Sequence, residues 1–386
     1  MAMKLASLFS GVGGLDLGFV QAGFVVVYAN DIDKDVWETY EINNRIAIDR
    51  RSLFDIPSES IPDVDGIIGG PPCQSWSLAG AMRGINDERG QLFYEYIRII
   101  RDKQPKFFVA ENVPGMLSIT HKNEFEKIIN KMEKLGYRVS YSVYDARNYG
   151  VPQERKRVVI VGYRRDLGFS FSPPEPTHTK SISVGLDGHR LNKWVTLKET
   201  LFDLPEAVPA LEKNKPNPET KFPNHEYMVG NFSTIYMSRN RRRNWEGQSF
   251  TIQAGGRHAP LHPDSCPMQK VGTDKWIFTG TQYRRLTVRE AARIQTFPDD
   301  FIFHYTNVAQ GYKMVGNAVP ARLAHAIAKQ IIKQIYLPNK PEAASSKMAP
   351  HFQICASSHA NSTIYFESGS NNRSKNCMGD ELKYSE

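Results

Sequence analysis

Over its first 165 residues the chain alternates short runs rich in β-branched and aromatic residues with longer segments of helical period, a pattern few folds accommodate. Strand and helix in strict alternation predict a parallel sheet with helices packed on its faces, an α/β architecture. The strands read as Leu5 to Phe9, Phe24 to Ala29, Val64 to Ile68, Phe107 to Ala110, Val139 to Tyr144 and Val158 to Gly162. The clearest helices are Leu15 to Ala22, Asn123 to Leu135, and Gln91 to Asp102, whose Leu92, Phe93, Tyr96, Ile99 and Ile100 fall on one face. From about Ser172 the texture changes. Pro173-Pro174-Glu175-Pro176 opens a stretch of scattered Pro, Asn and Lys without clear period, up to about Asn231, which reads as a second, less regular domain. Helical patterns return at Leu286 to Gln295 and at Pro320 to Tyr336, the latter with proline in its first turn. After Pro338 few large apolar residues occur, and residues 340–386 are expected to be mostly disordered.

The 386 residues suffice for two domains and a tail. Four widely spaced cysteines (Cys73, Cys266, Cys355, Cys377) with no C-x-x-C argue against a disulfide framework and for a reducing compartment. Cys355, His359, His351 and Cys377 lack a second closely spaced ligand pair, so no metal is expected. No apolar run approaches the roughly 18 residues of a membrane span, and the N-terminus lacks the apolar region of a signal peptide; a cytoplasmic protein without membrane contact is expected. The formal net charge of +8 favours a polyanionic partner.

Gly69-Gly70-Pro71-Pro72-Cys73-Gln74-Ser75-Trp76 follows the third strand. Two prolines fix φ and hold their predecessors extended, so Cys73 is presented on a stiff turn at the strand end, as a nucleophile would be; an inert, packed thiol is the alternative. Phe9-Ser10-Gly11-Val12-Gly13-Gly14 joins the first strand to the first helix, where glycines let the backbone approach a ligand. Asp31 follows the second strand, 20 residues beyond Gly11, a spacing suited to a carboxylate on ribose hydroxyls. A dinucleotide fingerprint fails, because Asp16 stands where its third glycine belongs; a ribose-containing cofactor without a pyrophosphate fits better.

Cys73 and Glu111 each follow a strand, and groups beyond the carboxyl ends of parallel strands converge on one crevice. Gln153, Arg155 and Arg157 precede a strand instead, so periodicity alone does not place Arg157 in that crevice. Thiol, acid and cation together suit alkylation of cytosine at C5, a poor nucleophile. A thiolate adding to C6 makes the ring enamine-like, a carboxylic acid facing N3 stabilises the developing charge, and an Arg donor to O2 assists.

These segments, with Glu111-Asn112-Val113, Gln153-Glu154-Arg155-Lys156-Arg157, Arg284-Arg285-Leu286-Thr287-Val288-Arg289-Glu290 and Gly316-Asn317-Ala318-Val319-Pro320, resemble the DNA (cytosine-5) methyltransferase family, in the family's order from residue 3 to about 337. The resemblance implies a Rossmann-like methyltransferase sheet using S-adenosylmethionine, with Cys73 as nucleophile, Glu111 as the N3 partner, Arg157 on O2 and Arg155 as supporting cation. It implies a cofactor site lined by Phe9, Gly11, Gly14, Asp31, Pro72 and Asn317. Ser52 replaces an adenine-contacting acid, with Asp49 and Asp55 close by. It also implies that the last helix returns to the first domain. The divisions are then 1–171 for catalysis and cofactor, 172–281 for target recognition, 282–338 for the return segment and 339–386 for the tail.

A base inside a duplex must be flipped out before such chemistry, and the second domain must hold the opened DNA. Ser238-Arg239-Asn240-Arg241-Arg242-Arg243-Asn244-Trp245 and Gln253-Ala254-Gly255-Gly256-Arg257 are its sharpest features, and Arg suits bidentate contact with guanine. A basic loop touching only phosphates is the plainer reading. Together with Pro223-Asn224-His225-Glu226-Tyr227, these segments resemble bacterial methyltransferases that modify GGCC, which implies Arg239, Arg241 and Arg257 as guanine readers and the inner cytosine as target. A cognate restriction endonuclease would act on the same site without a stable complex, and since a palindromic site can be modified one strand at a time, a monomer is expected. Two alternatives remain. A tRNA-modifying branch carries Cys-Phe-Thr where this chain has Ser249-Phe250-Thr251, and a DNA-binding protein that has lost catalysis would not need Cys73, Glu111 and Arg157 together.

Overall fold

Seven strands make the central sheet of the computed structural model, which describes residues 2–72, 88–184, 188 and 190–336. They are β1 (Lys4–Leu8), β2 (Val25–Asn30), β3 (Ile48–Asp49), β4 (Gly66–Gly69), β5 (Phe107–Asn112), β6 (Tyr137–Asp145) and β7 (Lys156–Arg164), ordered β3-β2-β1-β4-β5-β7-β6. All the strands read from the sequence are present. β1 pairs in parallel with β2 and β4, and β4 with β5. The expectation of a wholly parallel sheet fails at one strand, because β7 runs antiparallel to both β5 and β6. Its cause is chain length: only residues 146–155 separate β6 from β7, too few for a helical crossover.

Helices cover both faces, as a parallel sheet requires. The helices are α1 (Gly14–Ala22), α2 (Trp37–Asn44), α3 (Glu88–Lys103), α4 (Lys122–Lys134), α5 (Leu197–Leu201), α6 (Val288–Ile294), α7 (Val308–Asn317) and α8 (Ala321–Tyr336). β5 shows the two-sidedness directly. Phe107 and Val109 join a core with Leu15 and Phe19 of α1 and Leu323, Ala324 and Ile327 of α8. Phe108 and Ala110 join another with Phe93, Tyr96 and Ile100 of α3 and Ile128 and Met132 of α4. Each buried Phe contributes roughly 1.5–3 kcal/mol. The α1–α8 seam is tight: a Cβ on Gly18 would lie 2.4 Å from Ala324 Cβ.

The described residues of 172–281 carry only short strands, 3-10 turns and α5. Leu197, Leu201, Met228, Ile252 and Ala259 pack in one core with α6, α7 and Tyr40 of α2, while Tyr236, Leu261 and Met268 form a small separate one. The described residues all fall within one compact unit; residues 337–386, and with them the tail expected to be disordered, lie outside the described residues.

Candidate active site and nucleic-acid surface

The antiparallel course of β7 settles where Arg157 stands. A strand that runs backwards begins at the edge where its parallel neighbours end, so Arg157 lies beside Glu111 at the carboxyl end of β5. Arg157 Nε and Glu111 Oε1 are 2.7 Å apart, and both side chains are largely buried. The N–H does not point at that oxygen, which therefore has no aligned hydrogen bond. The contact is an ion pair that leaves a buried acceptor open. A Cβ on Gly70 would lie 3.5 Å from Glu111 Oε2, which brings the start of the Pro-Pro loop to the same point. Asn112 Nδ2 donates to Pro71 O at 3.2 Å and ties the loop to β5. Pro72 is the last described residue there, and Cys73 lies outside the described residues.

Arg155 also joins segments of the chain. Its side chain is buried; it donates to Ile252 O (3.0 Å), Gly316 O (3.1 Å) and Ala318 O (2.9 Å), joining the segment before β7 to the insertion and to the end of α7. These three bonds make it a brace between segments beside any part it takes in the chemistry. Gln153 does similar bridging, donating to Gln295 Oε1 at 2.6 Å and accepting from Ile252 N at 3.2 Å.

At the other end of the same edge, Gly11 (φ 56°) and Gly13 (φ 85°) take left-handed conformations, as does Phe9 (φ 54°), an uncommon strain for a bulky residue. Gly11 N donates to Asp31 Oδ2 and Asp33 N to Asp31 Oδ1, both at 2.8 Å. Burial raises the Asp31 carboxyl, against the lowering effect of those two amides. Nothing would meet a Cβ on Gly11 within 4 Å, so space stands open beside a fixed carboxylate, a cradle that fits a ribose-bearing cofactor. Gly14 has a packing reason as well, since its Cβ would lie 2.5 Å from Val319 O. Asn317 ends α7 and is exposed. Near Ser52, Asp49 is held by Tyr28 OH (2.9 Å) and Arg51 (2.6 Å), and Asp55 is exposed.

Two supports escaped the sequence reading. Asp16, fully buried in the first turn of α1, accepts from Ser7 Oγ and Tyr40 OH, each at 2.6 Å, and burial pushes its carboxyl up to about 6. Lys313 on α7 pairs with Asp33 (2.7 Å) and Asp35 (2.9 Å) beside the cofactor cradle.

In the insertion, Arg239 and Arg257 are exposed, while Arg241 is 5% exposed. Arg241 donates to Tyr236 O (2.9 Å) and Ile235 O (3.2 Å) and lies over the Tyr236 ring, so here its guanidinium braces its own loop. Arg242 donates to Pro263 O, and Arg243 pairs with Glu154 at 2.8 Å over the Phe250 ring. His258 is held below its usual range by burial first, then by the charges of Arg241, Arg239, Arg257 and Arg285, so the cations share one field. A cleft of about 170 Å³ opens among Arg239, Phe250, Thr251, Gln253 and His258. A Cβ on Gly316 would lie 2.3 Å from the Gln253 carbonyl carbon; the Gln253–Arg257 loop thus sits directly on the end of α7.

Residues 3–333 match the sequence model of C-5 cytosine-specific DNA methylases. The chain is 56% identical over 339 residues to the Type II methyltransferase M.MthTI of Methanothermobacter thermautotrophicus, covering 87% of this chain and 98% of that protein. It is 51% identical over 335 residues to the Type II methyltransferase M.FnuDI of Fusobacterium nucleatum, covering 85% and 94%. Among solved structures it is similar to a DNA modification methyltransferase encoded within an E. coli prophage (TM-score 0.65, 25% identity, 87% of this chain and all of that one). The S. pombe Dnmt2 methyltransferase shares the fold (TM-score 0.60, 15% identity, 87% and 100% covered).

Proposed function

The chain belongs to the C-5 cytosine-specific DNA methylase family, and from that membership we propose that it methylates the inner cytosine of GGCC in duplex DNA, with S-adenosylmethionine as donor. It is a DNA cytosine-5 methyltransferase. The observation that carries the cytosine chemistry is the Glu111–Arg157 pair, with its open acceptor and with Gly70, at the start of the Pro-Pro segment, beside it. A flipped cytosine placed there would meet Glu111 at N3 and Arg157 at O2, while the Cys73 thiolate adds to C6, forming the C–S bond as the C5=C6 π bond opens and its electron pair becomes available at C5; once C5 is alkylated, loss of its proton to a base restores the double bond and expels the thiolate. Both polar groups are already fixed and desolvated, which makes their fields strong where ring charge develops.

Phe9, Gly11, Gly14, Asp31, Pro72 and Asn317 would hold S-adenosylmethionine, and the open space at Gly11 beside the Asp31 carboxylate supports that placement. When bound, that cofactor supplies an electrophilic methyl group. Residues 172–281 act as the target-recognition domain, with Arg239 and Arg257 as its guanine readers and residues 282–338 returning to complete the catalytic domain. The Type II relatives support a role in protecting host DNA; a cognate endonuclease acting on the same site without a stable complex, and a monomeric methyltransferase, belong to the same proposal. Plasmid recovered from an expressing strain should resist an endonuclease that cuts unmethylated GGCC. Complete digestion would exclude GGCC, and bisulfite sequencing of the same plasmid would then report the true context.

A further inference from the structure

Far along the chain from the residues of the catalytic edge, a groove of about 320 Å³ lies between residues 216–226 of the insertion and residues 303–305 ahead of α7. Its lining is mixed, with apolar surface from Pro216, Pro218, Pro223, Phe303 and the Tyr305 ring. Its base is a carboxylate. Glu226 is 2% exposed; its Oε1 accepts from Tyr305 OH at 2.9 Å, and its Oε2 is buried without a hydrogen-bond partner. His304 Nε2, at the same groove, is likewise buried and unpaired. The other polar groups there are committed. Asn224 bonds the Phe303 backbone through both side-chain atoms, Asn217 donates to Pro209 O, and Thr220 donates to Phe222 O. The neighbouring cation, Arg289, is fully buried behind Asn224 and donates to the carbonyls of Pro223, Pro298 and Phe301.

A buried carboxylate oxygen with no donor is costly, and a ligand that supplies a charged donor recovers that cost. Prolines and aromatic rings around it accept the apolar body and the positive face of the same ligand. We infer that this groove binds a small organic cation, a primary ammonium on a short alkyl chain, with the ammonium on Glu226 Oε2 and the chain between the prolines and Phe303. None of the groove residues named is among those assigned to cytosine, cofactor or guanine contact.

Titration calorimetry of the full chain with n-butylammonium chloride at constant ionic strength tests this. One saturable site is expected, with no saturable heat from n-butanol, which has the same apolar chain and no charge. Glu226→Gln should weaken butylammonium by about ten- to a hundredfold, the loss of one charged hydrogen bond, with a cooperative thermal melt showing that the variant is folded. Absence of saturable binding to the wild-type chain overturns the inference even if the variant fails to fold. Equal binding of n-butanol, or of Glu226→Gln in a folded protein, overturns it too.

Discussion

Glu111 and Arg157 are held 2.7 Å apart without an aligned hydrogen bond, so each still has bonding capacity for a third partner. Glu111→Gln keeps the shape and removes the charge that answers N3. Its rate of tritiated methyl transfer to DNA, measured in single turnover, should fall by about 10²- to 10⁴-fold with little change in the unfolding midpoint. A rate within a few-fold of wild type would remove Glu111 from the chemistry. Arg155 should divide the other way. Arg155→Ala leaves the Ile252, Gly316 and Ala318 carbonyls without their donor in a buried place, at a cost of about 3 kcal/mol or more in urea unfolding. A stability near wild type with lost activity would restore it as a direct participant. Two arginines a single residue apart thus carry different work, and spacing in the sequence could not separate them.

α1 shows how an element is fixed to serve the cofactor loop at its start. Asp16 in its first turn bonds Ser7 of β1 and Tyr40 of α2, so one buried carboxyl locks three elements. Its folded pKa is about 6, against an ordinary 3.8. The native state therefore holds the Asp16 proton more tightly than the unfolded state, and this stabilisation is complete below about 3.8 and lost as pH rises through about 6. The difference amounts to roughly 3 kcal/mol at most. His262, held down to about 4 by burial, slopes the opposite way and is common to both proteins. Thermal melts from pH 4 to 7.5 should show Asp16→Asn gaining stability relative to wild type across that window, and parallel curves would contradict the assignment. Elements of this kind were unevenly legible. β1, β2, β4, β5, β6 and β7 announce themselves by apolar runs. By contrast, α2 has a polar surface (Glu38, Glu41, Asn43, Asn44) that hides its period, and β3 is two residues long. α7 escaped although Asn307 and Gln310 form a capping box that marks its start. The reversal of β7 needs pairing partners, and pairing is not written in one strand.

For the molecule as a whole, the formal charge of +8 says that a polyanion is welcome but not where it lies. Folding sorts the arginine run. Arg241 turns inward onto Tyr236 and Arg243 onto Glu154, whereas Arg239 and Arg257 remain exposed around His258. A run of arginines in sequence cannot tell these apart, because the neighbours that neutralise them come from residues 235–236 and 154. The distinction is testable through salt. If Arg239 and Arg257 read guanine edges, replacing either with Ala should cost about 1–3 kcal/mol on a GGCC duplex, relax discrimination at one position, and leave the slope of log Kd against log salt unchanged. A phosphate contact would instead weaken all duplexes alike and reduce that slope by about 1. Arg241→Ala, unlike both, should lower the unfolding midpoint first. Filter binding to GGCC and single-mismatch duplexes from 50 to 200 mM salt separates the three cases. Uniform weakening by Arg239→Ala and Arg257→Ala, with the slope reduced, would move specificity away from both arginines and onto the other residues of that cleft, Gln253 and His258 among them.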